Sequence, residues 1–417
     1  KTETLAGITT FLSIAYILVV NPIILSQSGM DHGAVFTATA LTAIIGTLLI
    51  GLLANFPIAI APSMGLNSFF TFSVCIGMGI DWQVTLTGVF VAGIIFMLLS
   101  LFKIREKIIN IIPIDLKYAI ASGIGFFITF VGLKNGGIVV GNPDTFVSIG
   151  DLTSPMTLLA VLGLIITIVM LVRGINGGIF YGMVITTIVG MMFGLIEVPS
   201  SIVGSIPSLE PTFGVVFGHL DEMFTPEILT VIFTFLIVAF FDTAGALIGL
   251  TSQAGMMKDN KIPNIGKGLL ADSAAGVIGA ILGTSTPATS VESSAGIAVG
   301  GKTGFTSVVI AACFVVALFF SPLVNVISVE VTSAALIIVG ALMAMEIRRI
   351  NWTKLEIVIP SFLTIIMMPL TSSVVIGIGL GFILYPICLI AQKRYKEVHP
   401  IMYLLCLLFL LYFAFIV

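Results

Sequence analysis

Apolar stretches of about 20 residues, each long enough to cross a hydrocarbon core of about 30 Å, recur along this chain from end to end. Nothing else in the sequence narrows the choice of fold so far. Of its 417 residues only 9% are charged and 58% are hydrophobic, and the mean hydropathy is +1.22. A water-facing surface needs roughly 25% charged residues, so the solvent for most of this chain is lipid. In lipid every backbone polar group must find a partner inside the protein. Apolar runs of this length therefore read as helices, and the fold class is an all-α polytopic membrane protein.

Spans are expected near 6–27, 34–54, 63–78, 84–102, 116–138, 154–172 and 177–196. A second set falls near 227–250, 266–283, 288–299, 304–321, 330–346, 354–369 and 372–391. That makes about 14 transmembrane segments. The last apolar run, 400–417, either spans or lies in the interface. The first span, following only a few polar residues, reads as a retained helix, since it lacks a basic leader and an A-x-A cleavage site. With a cytoplasmic N-terminus, all 17 basic residues except Lys134 fall on the inner side. They are Lys1, Lys103, Arg105, Lys107, Lys117, Arg173, Lys258, Lys261, Lys267, Lys302, Arg348, Arg349, Lys354, Lys393, Arg394 and Lys396. The outer stretch from Glu197 to Pro226 holds no Lys or Arg, as the positive-inside rule demands of a cell-membrane protein. Trp82 and Trp352 fall at span ends and read as interfacial anchors.

Self-similarity divides the chain in two. Thr10-Phe11-Leu12 recurs as Thr234-Phe235-Leu236, and Ser26-Gln27-Ser28-Gly29-Met30 as Ser252-Gln253-Ala254-Gly255-Met256. Asn55-Phe56-Pro57 is echoed by Ser285-Thr286-Pro287, the three offsets being 224, 226 and 230 residues. Seven spans per half is an odd number, so the second copy crosses the membrane upside down. Inverted repeats place a binding site near the midplane, between corresponding broken helices.

The third and tenth segments are those broken helices. NFPIAIAPSMGLNSFFTF and GTSTPATSVESSAGIAVGGKTG are short, interrupted by Pro57, Pro62 and Pro287, and rich in Gly, Ser and Thr. Extended backbone is expected around 57–62 and 285–290, each stretch feeding a half-helix; such backbone survives at this depth only inside protein or beside a water-filled cavity.

Two carboxylates stand out in this setting: Asp242, mid-span in FTFLIVAFFDTAGALIGL, and Glu292, just past Pro287. A carboxylate at the bilayer centre costs at least about 2.5 kcal/mol on the insertion scale, so it is kept for a partner or a task such as proton coupling. Asp272, nearer the inner end of its span, fits either a helix–helix hydrogen bond or a place in the proton relay. Asn67 offers a donor and an acceptor together, suited to a heterocycle edge. His32, His219 and His399 fall in loops or interfaces and make poor proton shuttles.

Other classes fare worse. Net charge is −3 with no basic block, which argues against nucleic acid. Cys75, Cys313, Cys388 and Cys406 lack metal-ligand spacing, so neither a metal nor any other cofactor is expected beyond H+ as coupling ion. The chain has no H-E-x-x-H, G-x-S-x-G or P-loop. An intramembrane hydrolase and a non-transporting membrane sensor are the alternatives from another class.

APSMGLNSFF, FFDTAGALIGL and GTSTPATSVESSAGI, in that order, resemble the nucleobase–cation symporters. The similarity is strongest to their azaguanine-like branch of hypoxanthine, guanine and adenine permeases. That resemblance implies fourteen segments in two inverted 7-segment repeats. Residues 1–110 and 227–322 (segments 1–4 and 8–11) would form a core domain. Residues 111–200 and 323–417 (segments 5–7 and 12–14 plus the terminal apolar segment) would form a gate domain that often dimerises, with 201–226 as an outer loop. It also implies substrate-site roles for Gly65 and Asn67 on segment 3 and for Asp242 and Glu292 on segments 8 and 10; Ser293, beside Glu292, joins the set. Physically, a carboxylate can take two N–H donors of a purine at once, and Phe69 is expected above or below the ring. The expected activity is import of a purine nucleobase with protons; a pyrimidine or anion carrier on the same fold is the alternative within transport.

Overall fold

A computed structural model of the chain describes residues 1–102, 112–256 and 262–415. Lys103, Arg105, Lys107, Lys258 and Lys261 lie outside the described residues, as does the expected boundary at 110–111. The first segment is α1 (Thr2–Ile14) and α2 (Ile17–Ser26), the second α3 (His32–Leu49), which ends in a π-helical turn over Ile50–Ala54. Strand β1 (Ile60–Pro62) then feeds α4 (Met64–Ser68), prolonged as a π-helix over Phe69–Gly77, and α5 (Trp82–Leu101) closes the fourth segment. Next come α6 (Ile114–Asn135), the hairpin β2 (Val139–Asn142) and β3 (Phe146–Ile149), α7 (Pro155–Val172) and α8 (Gly178–Met192).

The second half runs through α9 (Pro226–Gln253), α10 (Ile265–Leu282), β4 (Pro287–Thr289), α11 (Ser293–Val299) and α12 (Gly304–Ala317). A short α13 (Ser321–Asn325) precedes α14 (Val329–Ala344), α15 (Leu355–Thr371), α16 (Val374–Ala391) and α17 (Pro400–Phe415). Among the described residues nine helices are long and apolar enough to cross a membrane. Together with the shorter apolar helices and the two broken segments they make the expected architecture of two inverted repeats.

Two local features differ from the sequence expectation, and a third concerns a run it left open. The first span breaks at Ala15–Tyr16. The chain tightens there, with Leu18 N–H donating to Ala15 O and Val19 N–H to Tyr16 O, both at 3.1 Å. A hairpin sits between the fifth and sixth segments, with Asn142 Oδ1 accepting from Asp144 and Thr145 N–H at 2.8 and 3.0 Å. The run left open at 400–417 is a helix over Pro400–Phe415 that packs on α16, where Phe409 stacks on Phe382 at 5.7 Å.

α6 packs against α14, α15 and α16, and α1, α3, α5, α9 and α10 surround the two broken segments. Small residues permit the closest approaches: a Cβ on Gly125 would lie 2.6 Å from the Gly340 carbonyl oxygen, and one on Gly296 would lie 2.5 Å from that of Ala6. Helices that meet backbone to backbone in lipid depend on such positions.

The strands cross in the middle of the molecule. β1 and β4 run antiparallel with Ile60 opposite Thr289, Ala61 opposite Ala288 and Pro62 opposite Pro287. Facing prolines at one end mean that neither strand has to supply an N–H there. The two strands begin 227 residues apart, at Ile60 and Pro287, not the 230 of the Asn55/Ser285 match. Asn55 does not occupy the position of Ser285: it adopts a left-handed conformation (φ 60°) that ends the π turn, and its Oδ1 accepts from Gly304 N–H at 2.8 Å.

A two-stranded ladder leaves outer edges that lipid cannot satisfy. Hydroxyls from neighbouring helices take that place along β1. Ser307 Oγ accepts from Ile58 N–H at 3.0 Å and reaches the carbonyls of Phe56 and Ile58 at 2.7 and 2.8 Å. Thr47 Oγ1 accepts from Ile60 N–H at 3.0 Å.

Candidate functional site

Each strand is followed by a serine. Ser63 N–H donates to Thr286 O at 3.1 Å and Ser290 N–H to Ala59 O at 2.9 Å, so the two serines extend the ladder at its opposite ends. Each side chain then turns to a carboxylate. Ser63 Oγ donates to Asp242 Oδ2 at 2.6 Å, from the start of α4 to the middle of α9. Ser290 Oγ donates to Glu292 Oε2, and Tyr16 Oη donates to Glu292 Oε1 at 2.6 Å from the break between α1 and α2. Ser63, Asp242, Ser290 and Glu292 are all partly exposed, whereas their neighbours Pro62, Thr289 and Tyr16 are buried. Among the described residues neither carboxylate enters an ion pair; the pairs found involve Glu222, Glu346, Glu356 and Glu397. Two hydroxyl-bound carboxylates at the ends of one crossing can bind N–H donors or exchange protons.

Asp272 is buried between them. Its two oxygens accept from Thr243 Oγ1 at 2.8 Å and Thr289 Oγ1 at 3.4 Å. Thr243 adjoins Asp242 and Thr289 adjoins Ser290, so Asp272 bridges α9 and β4 from behind the crossing, beside a small cleft that Phe96, Phe235 and Pro287 also line.

The remaining expected residues are placed as follows. Asn67 is fully buried, and its amide N–H donates to Asn21 Oδ1. Asn21 in turn donates to Thr39 Oγ1 at 2.7 Å and Thr284 Oγ1 at 2.9 Å, joining segments 1, 2, 3 and 10. Ser293 Oγ accepts from Ala59 N–H at 3.0 Å and so supports β1. Phe69 is fully buried with its ring edge-on to Phe235, centroids 4.9 Å apart. Gly65 faces the packed α6–α14 pair, where an added Cβ would stand 2.9 Å from Ile124 Cγ2. The structure thus brings Asp242, Glu292 and Asp272 to one crossing, with Gly65, Asn67, Phe69 and Ser293 in its supporting wall.

Sequence reasoning missed Tyr16, Ser63, Ser290 and Asn21. The signal for Tyr16 was present in the repeat: the offset of 226 residues at the end of the first span carries it onto Asp242.

Two broken segments crossing between inverted halves, with carboxylates at the crossing, define a multi-pass membrane carrier. The chain belongs to the Permease family, whose family model matches residues 1–380; it is a transporter and not an enzyme. It is 53% identical to the guanine/hypoxanthine permease PbuG of Bacillus subtilis, over 100% of this chain and 97% of that protein. It is 43% identical to the guanine/hypoxanthine permease PbuO of Bacillus subtilis (98% and 96% covered). To the adenine permease AdeP of Escherichia coli it is 42% identical (100% and 93% covered). Among solved structures it is similar to the transmembrane domain of a cyanobacterial bicarbonate transporter, BicA, with a TM-score of 0.65 at 17% identity, covering 94% of this chain and 97% of that one. SLC26A9 aligns with a TM-score of 0.62 at 11% identity, covering 94% and 65%. Those two likenesses speak for the fold alone.

Proposed function

We propose that the protein imports purine nucleobases (hypoxanthine, guanine or adenine) across the cell membrane together with protons. The observation that carries this reading is the pair of hydroxyl-bound carboxylates at opposite ends of the β1–β4 crossing. Full-length similarity to guanine/hypoxanthine and adenine permeases supports the cargo. A purine presents N–H donors on one edge and ring nitrogens or a carbonyl on another, and a carboxylate is an acceptor for the former. Glu292 contacts the base. Asp242 loads and releases the coupling proton. Asn67 supports the crossing through Asn21, and Asp272 braces α9 against β4.

Segments 1–4 and 8–11 move as a core against a gate of segments 5–7 and 12–14, with the N-terminus cytoplasmic; gate faces on two copies would form the homodimer. The fold is shared with a bicarbonate transporter, but two carboxylates repel anionic cargo.

The test is uptake of labelled hypoxanthine into proteoliposomes under an inward proton gradient. Guanine or adenine should compete, uracil should compete poorly and sulfate not at all, and a protonophore should collapse accumulation. Strong competition by sulfate, or accumulation indifferent to the protonophore, would overturn the cargo or the coupling respectively.

A further inference from the structure

We infer that Tyr16 is a positioning residue of the substrate site: its phenol aims the Glu292 carboxylate at the base and so sets affinity. The inference rests on the reading above, in which Glu292 contacts the purine. Three observations carry it. The Tyr16 ring is 2% exposed, so its hydroxyl has been buried next to a carboxylate, and a buried hydroxyl needs a partner. That partner is Glu292 Oε1 at 2.6 Å, while the other oxygen is held by Ser290 from the turn preceding α11. Finally, segment 1 lies close against segment 10, where a Cβ added to Gly296 would run into Thr10 Oγ1 and the Ala6 carbonyl oxygen. The phenol therefore reaches Glu292 from a segment whose preceding helix, α1, packs directly on α11. A carboxylate clamped on both oxygens by donors from two elements loses rotational freedom before the base arrives. Pre-organisation of this kind strengthens binding.

The repeat provides an internal comparison. Ser63 lies just before α4 as Glu292 lies just before α11, and Tyr16 aligns with Asp242. Ser63–Asp242 is thus the mirror contact, assigned to coupling and not to binding.

Equilibrium binding of labelled hypoxanthine to the purified full chain tests the inference, with transport rates measured in parallel. Removing one hydrogen bond to a charged group predicts a Tyr16→Phe affinity about tenfold weaker, with the maximal transport rate within about twofold of the parent. Ser290→Ala should weaken binding similarly. The double variant should lose more than the product of the two, because Glu292 then has neither clamp. Ser321→Ala, which removes a hydroxyl bonded to the Ser205 carbonyl and to neither carboxylate, should leave affinity within about twofold. A ring that served only as packing would give none of this, since phenylalanine keeps the ring. Tyr16→Phe binding like the parent, or a double loss no larger than the product, overturns the role of Tyr16 and leaves the cargo reading standing. Folded parent protein that binds no purine overturns the cargo reading and this inference with it. If Tyr16→Phe fails to fold, Ser290→Ala decides alone: unchanged affinity would show that Glu292 needs no clamp.

Discussion

At one end of the strand crossing a carboxylate on a long helix, Asp242, receives a hydroxyl from the residue before a half-helix, Ser63. At the other end the roles are exchanged: the carboxylate, Glu292, precedes the half-helix, and the hydroxyl, Tyr16, comes from the long segment. Two inverted halves have kept one contact and swapped donor for acceptor. The swap breaks the symmetry where function needs it broken. Among the described residues Asp242 is held by a single small hydroxyl, while Glu292 is held by two, one of them on a rigid ring. The loosely held group suits proton exchange, and the clamped one suits recognition.

The largest effect expected from this contrast concerns the carboxylates themselves. Glu292→Gln substitutes a neutral amide for the charge that meets the base in the proposed reading, and should weaken hypoxanthine binding about ten- to a hundredfold. Asp242→Asn mimics the protonated group, so binding should survive while uphill accumulation is lost. Binding and proton-driven uptake measured side by side decide the matter. If Asp242→Asn still concentrates purine against a gradient, or Glu292→Gln binds normally, the division of labour is wrong.

The two strands contrast as well. Ser307 meets the backbone leading into β1 at Ile58 and Thr47 meets β1 itself at Ile60, whereas Thr289 in β4 meets the buried carboxylate of Asp272. Ser307→Ala would leave the N–H of Ile58 without this partner inside the protein, a loss of about 1–3 kcal/mol. Thermal unfolding in detergent should show Ser307→Ala clearly destabilised, with hypoxanthine affinity changed far less than in Glu292→Gln. An affinity loss as large as that of Glu292→Gln would mean that the edge of β1 belongs to the recognition machinery.

How much of this was legible in the sequence follows from the kind of signal each feature leaves. Pro57, Pro62 and Pro287 among small hydroxyl residues marked the extended stretches, because proline and polar density cannot belong to lipid-facing helices. β1 and β4 lie inside the expected ranges 57–62 and 285–290. Asp242 and Glu292 announced themselves as charges in apolar surroundings. Tyr16 did not: in SIAYILVV an aromatic is unremarkable, and only its alignment with Asp242 across the repeat sets it apart. Asn21, beside Pro22 in the same span, was a lone amide whose partners are 18, 46 and 263 residues away. Contacts that distant leave no local pattern. The hairpin over Val139–Ile149 was legible in VVGNPDTFVSI, whose Asn-Pro-Asp turn lies between β-branched pairs; the helical period of its neighbours masked it.

The smallest effect is expected at Asp272, which separates a brace from a relay. Its oxygens accept hydroxyls from Thr243 and Thr289, one residue removed from Asp242 and from Ser290. An amide in its place keeps one acceptor and presents an N–H to the other threonine, whose hydroxyl oxygen can turn to accept it. Asp272→Asn should therefore lose only about 1 kcal/mol of stability and transport more slowly, because α9 is held less firmly against β4. Uphill accumulation of hypoxanthine should persist, since the proton-carrying group in this reading is Asp242. Proteoliposome uptake over time, with and without a protonophore, measures rate and plateau separately. A lower rate to an unchanged protonophore-sensitive plateau identifies the brace. A plateau that falls to simple equilibration would place Asp272 on the proton path and leave the two ends of the crossing less independent than their swapped contacts imply.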